Sequence, residues 1–155
     1  DPDNRRPVDF DARAASLDRD VGPADLLPTW RNGEVKQAVI ARLLRLRASS
    51  PALFAKGDYR PLEATGPAAG HVLAFVREYR GERLLVVVAR HVAAWLGGAE
   101  IPVVPSSRWR GTALPVPAGR WAAVLVTGTN EGGDVSVEDI LGDLPVAVWH
   151  IGRPA

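Results

Sequence analysis

Hydrophobic and polar positions in the first third of the chain follow a helical period. Val35, Val39, Leu43 and Leu46 recur on one face, and Ile40 and Leu44 widen the stripe, which predicts a helix over 34–47. Asn32 stands as a candidate N-cap and Glu34 lies in the first turn. Arg42, Arg45 and Arg47 load the carboxyl end, where the helix dipole favours cations, and Ser49, Ser50 and Pro51 stop it. "DFDARAASLDRD" predicts a shorter helix, capped by Asp9, with Phe10, Ala14 and Leu17 on one face. Gly22, Pro23 and Pro28 separate the two.

Beyond Pro51 the period changes to two. "HVLAFVREY" alternates as a half-buried strand, Val72, Ala74 and Val76 opposing Leu73 and Phe75, and "RGE" turns at Gly81. "RLLVVVAR" is apolar almost throughout, which predicts burial on both faces or a central place in a sandwich. "WAAVLVTG" and "PVAVWHI" predict further strands, and "GTNEGGD" a hairpin turn. The fold class expected is α+β, with an antiparallel β-sandwich at the carboxyl end. The boundary falls in "SPALFAKGDYRPL", dividing the chain into a helical segment, 1–56, and a β domain, 57–155. The apolar stripe is too wide for one short neighbouring helix to cover. The helical segment therefore reads as the end of an α/β body whose remainder is missing, with helix 34–47 burying its apolar face on that body or on a neighbouring chain.

Composition narrows the function classes. A chain of 155 residues suits one domain, or a small domain plus part of another. The absence of cysteine excludes a disulfide framework, a thiolate metal site and a cysteine nucleophile, and fits a cytoplasmic protein. A formal net charge of +1, with acids and bases mixed, lacks the basic stripe of a nucleic-acid binder. No apolar run approaches the ~20 residues that cross a bilayer. The lack of methionine, even at position 1, points to a piece of a longer polypeptide. His71, His91 and His150 are too scattered for metal ligation, and no serine lies in a G-x-S-x-G elbow. Asn130, Glu131 and Asp134 are too few for a calcium loop. Of the tryptophans, Trp121 and Trp149 lie in apolar strands and belong to a core. Trp109, between Arg108 and Arg110, is the candidate for stacking on a sugar ring.

The opening stretch, "DPDNRRPVDF", holds its polar side chains out of helix geometry between Pro2 and Pro7. Together with "RLLRLRASSPALFAKGDYRPL", "HVLAFVREYRGERLLVVVARHVAAWL" and the closing "LGDLPVAVWH", it resembles the carboxyl-terminal region of maltooligosyltrehalose synthase, of the α-amylase superfamily. The resemblance implies a parent enzyme that converts the reducing-end α-1,4 linkage of a maltooligosaccharide into an α,α-1,1 linkage by intramolecular glycosyl transfer. It implies no metal, nucleotide or organic cofactor. It also implies a (β/α)₈ barrel with its active site at the carboxyl ends of the strands. Helix 34–47 would be the last barrel helix, and the β domain would begin near Gly57.

Asp3, Asn4, Arg5 and Arg6 would then form a substrate-binding loop, one arginine touching the sugar beside the scissile bond. The alternative is that Arg5 and Arg6 pair with Asp1, Asp3 or Asp9 and only order the loop. Retaining transfer needs a nucleophilic carboxylate and an acid/base carboxylate about 5–5.5 Å apart. In the superfamily both belong to upstream strands, so this chain alone is expected to be inactive. Two other classes stand beside this one: a free-standing α-glucan-binding module, and a structural domain that docks onto another chain.

Overall fold

The computed structural model describes residues 7–153. Helix α1 spans Phe10–Asp18, with the Asp9 carboxylate accepting from Ala12 N at 2.9 Å as its cap. A 3-10 turn, Leu27–Asn32, leads into α2, Glu34–Ser49. The residue before α2 is Gly33, at φ +83°, a left-handed conformation that glycine adopts without strain. Asn32 still caps the helix, from one position earlier than a standard N-cap: its Oδ1 accepts from Glu34 N at 2.8 Å. Pro51 stops α2 but starts another helix, α3, Pro51–Lys56, as proline at a first turn does.

The strands β1 (Asp58–Leu62), β2 (Val72–Tyr79) and β3 (Glu82–Ala89) follow. After them come a short helix α4 (Ala93–Leu96), then β4 (Ala113–Val116), β5 (Trp121–Ala123), β6 (Thr129–Asn130) and β7 (Gly133–Ser136). Helix α5 (Val137–Ile140) and β8 (Val146–Ile151) complete the order. Every strand pair is antiparallel. The main sheet runs β1-β2-β3-β8-β5-β6, and β4 and β7 form a separate ladder. Arg80 and Gly81, both at positive φ, close the β2–β3 hairpin with the twist such two-residue turns require.

Strand β3 explains its own composition. Leu85 and Val87 point to one face, into a core with Val76, Trp121, Trp149 and Leu114. Leu84 and Val86 point to the other, into a core with Val148, Leu53 and Leu27. The first core is closed by the β4–β7 ladder, whose Leu114 and Val135 enter it, and by α5 through Val137 and Ile140. The second is closed by the helices.

This layering changes part of the expectation for helix 34–47. Val35, Val39, Leu43 and Leu46 pack against the second core of the chain's own sheet, because β3 and β8 offer an apolar face there. The covering is partial. No residue of α2 is fully buried, and Ile40 and Leu44 are 45% and 57% exposed.

Three further expectations change. Trp109 is 1% exposed and packs edge-on against Trp95 at 5.4 Å between ring centroids, so it is a core anchor and offers no ring face to a sugar. "WAAVLVTG" is strand only through Ala123: Val124 N donates to Val148 O at 2.9 Å, then Ala123 N donates to Gly128 O at 3.0 Å as the chain doubles back into β6. "GTNEGGD" is therefore no hairpin turn; it carries the chain from β6 in the main sheet to β7 in the ladder. Gly132 makes that crossing possible, since a Cβ there would lie 2.4 Å from Pro117 O.

Helices and sheet are joined by one buried polar cluster. Glu82, at the start of β3, is 6% exposed and accepts from Ser50 Oγ and from His150 Nε2, the latter at 2.9 Å. Ser50 lies between α2 and α3, and His150 is on β8. Burial alone would raise the Glu82 carboxyl. The Ser50 and His150 hydrogen bonds and the charges of His150 and Arg153 outweigh it and hold the group below its ordinary 4.5.

Leu53, fully buried where α3 meets the sheet, should cost about 2–5 kcal/mol on replacement by Ala, whereas exposed Leu44→Ala should stay within about 0.5 kcal/mol, both read by urea unfolding. A depressed carboxyl stabilises the fold above its ordinary value and loses that contribution as pH falls through the folded value. The stability gap between the native protein and Glu82→Gln should therefore be full above the ordinary carboxyl value and close as pH falls through the lowered one.

Candidate functional site

Asp3, Asn4, Arg5 and Arg6 lie outside the described residues. The described chain begins at Pro7, beside a polar groove lined by Pro7, Asp9, Arg13, Asn32 and Glu34. Helix α1 supplies Arg13, the junction before α2 supplies Asn32, and the first residue of α2 is Glu34. The groove exists because α1 packs across the start of α2. Arg13 Nη1 donates to Asn32 O at 3.0 Å, and Gln37 Nε2 donates back to Arg13 O at 2.8 Å. Asn32 Nδ2 donates to Glu34 Oε2 at 3.1 Å, and Arg19 pairs with Glu34 Oε1.

The chemistry of this network is that of holding, not proton transfer. Burial works to raise the Glu34 carboxyl, but the Asn32 hydrogen bond, the Arg19 charge and the Ser16 hydrogen bond outweigh it, and the group sits below its ordinary value. Glu34 is thus an anion and an acceptor near neutral pH, the opposite of a general acid. Arg13 and Asn32 are donors, and Asp9 and Glu34 are acceptors, a set that suits hydroxyl groups. Gln37 Oε1 is buried with no partner among the described residues.

Sequence reasoning passed over Arg13 and Gln37. Nothing in their spacing marks them, because their partners lie 19 and 24 residues away and meet only when α1 crosses α2. The Glu82–His150 pair, 68 residues apart, was equally hidden. The histidines do not converge: His71 lies against the Trp95 ring at 3.9 Å between centroids, and His150 faces Glu82. Among the described residues no group of three or more His, Asp or Glu could hold a metal ion, and no helix is long and apolar enough to cross a membrane.

No family model matches the chain. It is 36% identical over 148 residues to the putative maltooligosyl trehalose synthases of two Mycobacterium tuberculosis strains, CDC 1551 / Oshkosh and H37Rv, covering 96% of this chain and 16% of theirs. The solved maltooligosyltrehalose synthase of Arthrobacter ramosus superposes with a TM-score of 0.67 at 33% identity, over 96% of this chain and 18% of that one. A mutant of the same Arthrobacter enzyme gives 0.68. The chain thus spans less than a fifth of the length of these relatives. Sequence and fold agree along nearly its whole length: the chain is homologous to one stretch of the maltooligosyltrehalose synthases, a mixed helix and antiparallel-sheet region of those larger enzymes.

Proposed function

We propose that this chain is the carboxyl-terminal part of a cytoplasmic maltooligosyltrehalose synthase, and that it completes and braces a catalytic barrel supplied upstream. Residues 1–56 end the barrel and 57–155 form the β domain, a sandwich of the main sheet and the β4–β7 ladder. The parent enzyme moves the reducing-end linkage of a maltooligosaccharide from α-1,4 to α,α-1,1, without metal or organic cofactor. Asp3, Asn4, Arg5 and Arg6 bind the sugar, and the Arg13–Asn32–Glu34 network lies close after them in the described chain. The reactive carboxylates lie upstream, so this chain is inactive alone.

One observation carries the reading beyond homology. The helix layer is finished on its sheet side and unfinished on the other. Phe10 is 76% exposed, Leu44 57% and Ile40 45%, apolar surface that supports a further apolar neighbour.

Mixing the chain with the upstream polypeptide of its parent, and assaying maltopentaose for loss of reducing ends, tests this. Neither part should act alone, and the mixture should yield non-reducing product. Ile40→Asp with Leu44→Asp should cut that yield at least tenfold by blocking assembly. Product from the chain alone, or a stable complex that yields none, would contradict the proposal.

A further inference from the structure

A second site lies at the far side of the sheet from β1. β5 pairs with β8 only at Ala122↔His150 and Ala123↔Trp149 before Val124 makes its last bond to Val148. From Leu125 the chain swings away, then returns through Gly128 into β6. The divergence opens a cavity of about 360 Å³ along Val146–Trp149, bounded on the other side by α5. That volume lies within the ~300–1,000 Å³ of small-molecule sites. Both cores contribute to its floor: Leu125 and Leu144 from one, Ile140 and Trp149 from the other.

The rim is polar and of one sign. Thr127, Thr129, Asp139 and Asp143 are exposed there, and among the described residues no lysine, arginine or histidine lines the cavity. Neither aspartate makes an ion pair with a described residue. Asn130 Oδ1 is occupied by Gly132 N at 2.7 Å, and among the described residues nothing takes up its Nδ2 donors. Carboxylates without cations repel phosphates and sulfates, and two carboxylates fall short of a calcium cage. They accept well from pairs of neighbouring hydroxyls, while the threonines and Asn130 supply donors. The buried Leu125, Ile140 and Trp149 make the floor apolar, which suits the C–H groups of a pyranose ring.

We infer that this cavity binds a neutral, polyhydroxylated ring, one glucose unit of an α-glucan, as an accessory docking site. The choice of glucan rests on the function proposed above; the neutral polyol class rests on the cavity alone. The site shares no residue with the groove at α1 or with the exposed face of α2.

Amide chemical shifts of the ¹⁵N-labelled chain, titrated with maltotriose, read the site directly. Saturable shifts should centre on residues 127–130 and 139–143. Asp139→Asn with Asp143→Asn should weaken binding about tenfold or more, and Thr129→Val should weaken it with the carboxylates intact. Glucose 6-phosphate should bind more weakly than glucose. No saturable shift at the cavity, equal or tighter binding of the phosphate, or shifts there with calcium chloride alone would overturn the inference. Shifts confined to the groove at Pro7–Arg13 would also overturn it while leaving the glucan reading in place. Failure of the two polypeptides to assemble would count against the proposed function without touching this cavity.

Discussion

Strand β3 must be apolar on both faces, and the rest of the structure depends on that constraint. A sheet with one wet face would need only one covering layer. Here Leu85 and Val87 demand cover on one side while Leu84 and Val86 demand it on the other. The β4–β7 ladder with α5 answers the first demand and the helices answer the second. Helix α2 is thereby held by the β part of its own chain.

The join is polar as well as apolar. Glu82 brings together the α2–α3 junction, β3 and β8 through Ser50 and His150, and a buried carboxylate is stable there only while both partners remain. Such a contact contributes geometry more than raw stability: it fixes where the helices sit along the sheet. At the start of α2 the helix is crossed by α1, which brings Arg13 to Asn32.

Much of this was legible in the sequence because it is written in local periodicity. The caps at Asp9 and Asn32, the stripe on α2, the alternation in β2 and the doubly apolar β3 are all short-range patterns, and all appear in the structure. What escaped depends on distant partners. Nothing local shows that β8 inserts between β3 and β5, that α2 finds cover on a sheet formed further down the chain, or that Trp109 meets Trp95 inside the core. The glycines of "GTNEGGD" announce a bend but not that the bend changes sheets. The resemblance to the maltooligosyltrehalose synthases was carried by motifs spread along the chain and is matched by the homologues, whereas Asp3, Asn4, Arg5 and Arg6 lie outside the described part.

Helix α2 is the point of greatest leverage, since it is covered on one side only. Amide hydrogen exchange of α2, measured in the chain alone and again with the upstream polypeptide present, tests this most directly. Alone, α2 should exchange faster than β3 and β8; with the partner bound it should slow to match them. Protection of α2 equal to that of β3 in the chain alone, unchanged by the partner, would mean that its folded body is already complete.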